Sequence, residues 1–211
     1  MATITGMSSP FLVAANTATN RVYVTNYNAN DVAVIDGATN TVVATVPVGT
    51  SPGGIAVDTS KNLVYVANQL SATISVINGE TNTVARTFTL PSSASPGNVA
   101  VDPSANHLFV ADGFNKVVYV LNTSTGALLA TITGGKVPFK GPVDPAVFQP
   151  GKTVLISDNQ LNAVEQISES NFAVSAGYKG GSSPAGVAVN QTTHVVYVAE
   201  EGNNTVIAYA P

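Results

Sequence analysis

The chain lacks the residue types on which several common chemistries depend. Among its 211 residues there is no cysteine and no tryptophan, and only 9% of the residues are charged. Without cysteine the protein has no disulfide, no thiolate metal site and no cysteine nucleophile. Its eight Lys and Arg residues are outnumbered by twelve Asp and Glu residues, for a net charge of −4. This balance argues against nucleic-acid binding, which needs a basic surface.

Long hydrophobic runs are also missing. No apolar segment approaches the roughly 18 residues that a membrane helix requires, so we expect no membrane insertion. Residues 1–15 lack the basic start and the apolar stretch of a secretory signal peptide. The chain is therefore either cytosolic or was separated from a leader. Its wealth of Thr, Asn, Ser, Val and Ala favours β-strands and a secreted or periplasmic protein.

A short motif recurs five times along the chain. It begins with an aromatic or aliphatic residue, ends three residues later in an amide or an acid, and is spaced by 42, 44, 46 and 42 residues. A period in the low forties with strand-like content is typical of propeller blades. The copies are Tyr23–Asn26, Tyr65–Asn68, Phe109–Asp112, Leu155–Asp158 and Tyr197–Glu200.

Each repeat contains enough strand and turn signals for one antiparallel blade. A segment such as Ser51–Asp58 precedes the motif, and two further β-branched segments follow it, separated by turn residues such as Asp36-Gly37. The sequence thus predicts an all-β protein with a single domain over residues 1–211, a five-bladed β-propeller of four-stranded antiparallel blades. The predicted blades cover approximately residues 8–49, 50–93, 94–140, 141–181 and 182–211.

The two ends of the chain predict how the ring closes. The fifth repeat stops after its third strand, and residues 2–6 are identical to Ala130–Gly134, the predicted fourth strand of repeat three. We therefore expect residues 2–6 to complete the last blade, which would remove an open sheet edge. The alternative is that the chain is a fragment of a longer propeller.

The repeat resembles a known family. Tyr23–Asn26, Asp36–Gly49 and the Ser-Pro-x-Gly-x-Ala-Val-Asp segments closely resemble the YVTN β-propeller repeat over nearly the whole chain. The resemblance implies a bacterial or archaeal surface or periplasmic protein. Members commonly carry seven blades, so five is a departure. The motif marks a fold, and a fold does not imply a function.

Ligands of propellers bind mainly at the face around the mouth of the central channel. The five strand-end residues share that face, and the loops that follow add Tyr27 and Phe114. They are candidate ligand contacts, and three carboxylates among them would suit a hard cation such as Ca²⁺. The alternative is that they hydrogen-bond turn backbone, which explains why all five repeats carry such a residue but not the change from amides in repeats one and two to acids afterwards. The strand-end residues are Asn26, Asn68, Asp112, Asp158 and Glu200, and the candidate metal ligands are Asp112, Asp158 and Glu200.

No catalytic constellation is evident in the sequence. His107 and His194 fall in turns that we expect on the opposite face, away from any general-base role at the channel mouth. We predict a monomeric binding or scaffold propeller whose partner is a small molecule or a protein. One alternative is a metal-dependent hydrolase or lyase that uses the acidic arc, as in propeller lactonases. Another is a trimmed or engineered propeller without a ligand.

Overall fold

The computed structural model describes residues 3–179 and 181–209, which form five antiparallel sheets around one axis. The prediction of an all-β, five-bladed propeller is confirmed. Four sheets have four strands, and three strands of the fifth are described. The strands by blade are β1 (Pro10–Asn16), β2 (Arg21–Asn26), β3 (Asp31–Asp36) and β4 (Thr41–Pro47); β5 (Pro52–Asp58), β6 (Leu63–Asn68), β7 (Thr73–Asn78) and β8 (Thr83–Thr89); β9 (Val99–Asp102), β10 (His107–Asp112), β11 (Val117–Asn122) and β12 (Leu128–Ile132); β13 (Pro142–Phe148), β14 (Thr153–Asp158), β15 (Ala163–Ser168) and β16 (Val174–Lys179); and β17 (Pro184–Val189), β18 (Val196–Glu200) and β19 (Thr205–Tyr209).

Within the described residues, helical structure is limited to two short 3-10 turns, Gln149–Gly151 and Glu201–Asn203. None of the helical segments in the described ranges is long and apolar enough to cross a membrane.

Tight hairpins join the strands within each blade, and asparagine closes most of them. Asn20, Asn30 and Asn40 all have positive φ angles, between 52° and 59°. Asparagine tolerates this left-handed conformation better than most side chains, which explains why the turns are so rich in it. Acids and amides at the strand ends add Asx hydrogen bonds, as when Asp58 accepts from the backbone N–H groups of Ser60 and Lys61.

The core lies between the blades. The second strand of blades one to four is almost entirely buried, and Tyr23, Tyr65, Phe109 and Leu155 have no exposed surface. Because both faces of an interior blade are covered, these strands read as continuous apolar runs. The innermost strands β1, β5, β9, β13 and β17 surround the axis, and each packs against the next.

Blade five does not close the ring as the sequence suggested. The prediction that residues 2–6 pair with the last blade is wrong for residues 3–6, which form no strand; Ala2 lies outside the described residues. Ile4 and Met7 instead pack on the apolar face of blade one formed by Val24, Ala33 and Ile35. The segment is therefore held on blade one by the packing of these two side chains and not by backbone pairing.

Candidate functional site

A cleft of about 300 Å³ opens at the mouth of the channel, on the face that carries the β2–β3 type loops. Its walls come from three aromatic side chains of blades one and three, and its floor comes from the starts of the innermost strands. The lining includes Phe11, Tyr27, Gly53, Gly54, Gln69, Gly97, Asn98 and Phe114.

The aromatic residues of the cleft are unusually exposed. Phe114 is 83% exposed and Phe11 is 62% exposed, whereas Phe88, Phe109 and Phe139 are at most 5% exposed. The rings of Phe11 and Tyr27 lie 5.8 Å apart at a tilted angle. The Tyr27 hydroxyl donates to Gln69 Oε1 at 2.9 Å, which fixes this side chain across the boundary between blades one and two.

The floor of the cleft is backbone. Gly54 N–H donates to the Gly97 carbonyl at 3.1 Å, and a Cβ on Gly54 would lie only 2.3 Å from that oxygen. The absence of side chains here lets blades two and three approach each other and leaves peptide groups accessible to a ligand.

Below the mouth, one carboxylate lines the channel. Asp144 occupies the position held by Leu12, Gly54, Asn98 and Gly186 in the other blades, as the ladder registers show. Its Oδ1 accepts from Asn98 Nδ2 at 3.1 Å and its Oδ2 accepts from Val187 N–H at 3.0 Å. Burial raises the pKa of Asp144, and these two hydrogen bonds oppose that rise. Asp144 therefore connects blades three, four and five around the axis.

The strand-end residues predicted to bind a ligand lie at matching places on this face, but they are buried. Each is at most 4% exposed. The amides donate to the third strand of their own blade: Asn26 Nδ2 to Asp31 at 2.7 Å, and Asn68 Nδ2 to Ser75 at 2.9 Å. These contacts stabilise the blade and leave no side-chain surface open toward the cleft.

The acids of blades three to five have a different partner. Asp112 accepts from Ser95 N–H, Asp158 from the N–H groups of Lys140 and Gly141, and Glu200 from Ser182 N–H, at 2.6–2.9 Å. All these donors belong to the connection that enters the same blade. An acid suits these positions because both of its carboxylate oxygens can accept from N–H donors. It lacks the N–H₂ group with which Asn26 and Asn68 donate. This difference explains the change from amide to acid along the chain.

The three predicted metal ligands are not brought together. Within residues 3–179 and 181–209 no group of three or more His, Asp or Glu side chains could hold a metal ion. Asp112, Asp158 and Glu200 belong to separate blades, and each is occupied by its own backbone donors. The geometry thus offers no support for the metal hypothesis.

His107 is the first residue of β10, and His194 lies in the turn between β17 and β18. His107 Nδ1 is 3.5 Å from Glu169 Oε2, and its ring lies against Phe172. His194 has a positive φ of 61° in its turn and packs near Phe148. Neither histidine lines the cleft at the channel mouth.

Sequence reasoning found Tyr27 and Phe114 but missed Phe11 and Asp144. A signal for both was present. Phe11 stands where the aligned segments have Gly53 and Gly97, and Asp144 stands where they have small or amide residues. A departure of this kind at a position facing the axis marks a residue that the fold itself does not need.

Comparisons with known proteins agree with this architecture. The sequence model of the family described as YNCE-like beta-propeller matches residues 5–210. No curated protein matches the chain. Among solved structures, the WD40 beta propeller domain of Doa1 is similar, with a TM-score of 0.73 and 14% identity. The match covers 90% of this chain and 60% of that chain, so this chain spans less than two thirds of its length. At this identity the likeness concerns the fold alone.

Proposed function

This chain belongs to the family of YNCE-like beta-propellers, and from that premise we propose that it is a binding propeller whose cleft at the channel mouth takes a neutral, ring-bearing ligand. The fold is one that generally serves binding or scaffolding. The ligand class follows from the walls, the floor and the charge of the cleft.

The exposed aromatic pair carries the proposal. Phe11 and Phe114 together present two large apolar side chains to solvent on one cleft. Aromatic rings bind other rings in tilted or offset arrangements, and Phe11 and Tyr27 already adopt such a tilt. A flat ring entering between Phe11 and Phe114 would cover both.

The floor and the charge of the cleft narrow the class of ligand further. No Lys, Arg, Asp or Glu is among the described residues that line the cleft, so nothing there would neutralise a charged ligand. The Asn98 amide and the peptide groups around Gly53 and Gly97 supply polar groups for a few directed hydrogen bonds. An aromatic side chain flanked by peptide groups, as in a peptide, has the matching chemistry.

Saturation-transfer NMR with N-acetylphenylalanine amide, and with N-acetylalanine amide as the ringless probe, tests the proposal. We expect the parent protein to transfer saturation to the aromatic probe only. The double variant Phe11→Ala/Phe114→Ala should lose the transfer, and Leu70→Ala, which removes a 70% exposed side chain outside the cleft, should keep it. Absence of transfer in the parent, or equal transfer in the double variant, would favour a propeller without a ligand here.

No specific observation supports the hydrolase or lyase hypothesis, because the acids on which it depends bind backbone N–H groups in their own blades. The extracytoplasmic location remains a prediction from composition.

A further inference from the structure

A second cavity, of about 310 Å³, lies between blades three and four at the end of the strands opposite the cleft. Three hairpins form its walls, namely those between β9 and β10, between β13 and β14, and between β15 and β16. We call it the inter-hairpin cavity. The described residues that line it are all different from those that line the cleft, so its role is independent of the ligand proposed above.

The inter-hairpin cavity is lined by a buried carboxyl group that has no partner. Glu169 is 8% exposed, yet neither of its carboxyl oxygens has a hydrogen-bond partner among the described residues. His107 Nδ1 lies 3.5 Å from Glu169 Oε2, and it too makes no hydrogen bond. Buried polar groups are nearly always hydrogen-bonded, so an unpartnered carboxyl group on a cavity wall indicates a partner from outside the chain.

Asp102 adds a second acid to the same wall. Its Oδ1 accepts from the N–H and the hydroxyl of Ser104, at 2.8 and 2.7 Å, and from Gln149 Nε2 at 2.6 Å. Its Oδ2 accepts none of the hydrogen bonds among the described residues. Asp102 is 2% exposed and lines the cavity, so a ligand there would be the partner of this oxygen.

Between blades two and three the matching place holds a lysine. There Asp58, the counterpart of Asp102 in the ladder, lies 3.7 Å from Lys61 Nζ, which also donates to Asn106 Oδ1 at 2.6 Å. In the next repeat the position of Lys61 is taken by Ala105, which lines the inter-hairpin cavity. This repeat therefore keeps the acid and loses the cation.

Blade four adds an acid where the other blades have none. The Glu169 N–H donates to the Lys152 carbonyl, and Gly37, Gly79 and Thr123 make the same hydrogen bond in blades one to three. Lys152 lines the cavity, but among the described residues no lysine or arginine nitrogen lies within 4 Å of the carboxyl group of Glu169. The same holds for Asp102, so the chain supplies two acids and pairs neither with a lysine or an arginine.

We propose that the inter-hairpin cavity binds a small alkylguanidinium compound, with its guanidinium group held by Asp102 and Glu169. A guanidinium group presents five N–H donors in a planar fork, which is enough for the three carboxyl oxygens without partners. It is more weakly hydrated than an ammonium group, and so loses less on entering a buried site. A metal ion fits less well, because no group of three His, Asp or Glu side chains in the described part of the chain could hold one.

The affinity should depend on pH, because a proton on Glu169 competes with the cation. Burial and the neighbouring Asp102 raise the pKa of Glu169 to about 8. Asp102, His107 and Lys152 are the other charged or titratable groups around it. Burial lowers the pKa of His107, and hydrogen bonds to Asp102 outweigh burial and lower the pKa of that acid, so neither changes its charge above pH 7. We therefore expect binding to be about tenfold tighter at pH 9 than at pH 7.

Calorimetric titration with butylguanidinium, and with butylurea as its neutral isostere, tests the proposal. The parent should bind the cation with the pH dependence given above, and butylurea at least about tenfold more weakly. Glu169→Gln should weaken binding of the cation at pH 9 by about tenfold or more and remove the pH dependence. Glu80→Gln, at an exposed turn position, should behave as the parent. A parent that does not bind butylguanidinium at pH 9, or a Glu169→Gln variant that binds it equally, would overturn the proposal.

Three lysine variants test where the cation lies. Ala105→Lys restores the cation of blade two inside the cavity and should abolish binding of butylguanidinium. Thr19→Lys, at the same hairpin position of blade one, should leave the binding unchanged. Lys152→Asn restores the residue type of Asn62 and Asn106 and should bind at least as tightly as the parent. Binding by Lys152→Asn but not by the parent would mean that Lys152 fills the cavity, and unchanged binding by Ala105→Lys would place the ligand elsewhere; either result contradicts the proposal.

Discussion

Glu169 Oε2 of blade four lies 3.5 Å from His107 Nδ1 of blade three, and the Asp102 carboxylate lies beside this pair. Both acids are buried, at 8% and 2% exposure, and they line a cavity of about 310 Å³ between the hairpins of the two blades. Burial and the neighbouring Asp102 raise the pKa of Glu169 to about 8. Burial also acts to raise the pKa of Asp102, but the neighbouring Glu169 and hydrogen bonds from Ser104 and Gln149 outweigh it and lower that pKa. Glu169 thus keeps its proton at neutral pH beside an ionised Asp102.

This pair should make the protein less stable as the pH rises. The folded state holds the proton of Glu169 up to about pH 8, while the unfolded chain releases it near the ordinary glutamate pKa of 4.5. We therefore expect the free energy of unfolding to fall by about 2 kcal/mol between pH 6.5 and pH 9. Burial lowers the pKa of His107, so its effect has the opposite sign and lies below pH 6.5.

Urea unfolding of Glu169→Gln measures this contribution, because glutamine has nearly the shape of the protonated acid and does not titrate. The free energy of unfolding of the variant should change less between pH 6.5 and pH 9 than that of the parent. At pH 9 the variant should be the more stable of the two. Glu80→Gln, at an exposed turn position, is the control and should follow the parent. Parallel profiles for the parent and Glu169→Gln would refute a protonated Glu169 in the folded state.

The strand-end acids should matter for stability and not for ligand binding. Asp158 accepts four backbone N–H groups, from Lys140, Gly141, Gln160 and Leu161. In Asp158→Asn the new N–H₂ group would face one of these donors and leave it unpaired. We expect urea unfolding of Asp158→Asn to show a loss of about 1–3 kcal/mol in the free energy of unfolding. The control Glu80→Gln should leave this free energy nearly unchanged. A neutral Asp158→Asn variant would mean that these hydrogen bonds do not hold the inter-blade connection.

Two neighbouring glycines offer a matched test of the packing at the axis. A Cβ on Gly54 would lie 2.3 Å from the Gly97 carbonyl oxygen, whereas a Cβ on Gly53 would meet nothing closer than 3.9 Å. Gly54→Ala should therefore cost about 1–3 kcal/mol in unfolding free energy, because the strands of blades two and three must move apart. Gly53→Ala should change it by less than about 1 kcal/mol. Equal effects would show that β5 and β9 are not in close contact.

The sequence predicted the blades well because every repeat carries the same local signals. The period of Tyr23, Tyr65 and Phe109 and the turn asparagines each act within a single blade, where hydrogen bonds and side-chain burial follow directly from neighbouring residues. Features that depend on contacts between blades were not predictable in this way. Asp144 and Glu169 acquire their roles from partners 43 to 67 residues distant, Val187 and Asp102.

The prediction for residues 2–6 failed for a related reason. Identity with Ala130–Gly134 shows that the segment can be a fourth strand, but it does not determine which surface the segment contacts. Ile4 can be buried either on blade one or against a sheet edge, and the structure places it on blade one. Strand propensity is local, and the choice between two apolar surfaces is not.

Binding at the channel mouth is tested most directly by ¹⁹F NMR of protein that carries 4-fluorophenylalanine at its seven phenylalanines, with N-acetylphenylalanine amide as the probe. Phe11→Leu and Phe114→Leu variants assign the two resonances of the cleft. The account predicts that these two resonances shift with added probe, while those of the buried Phe109 and Phe139 stay in place. A titration that leaves both cleft resonances unmoved, or that shifts the buried ones equally, would contradict it.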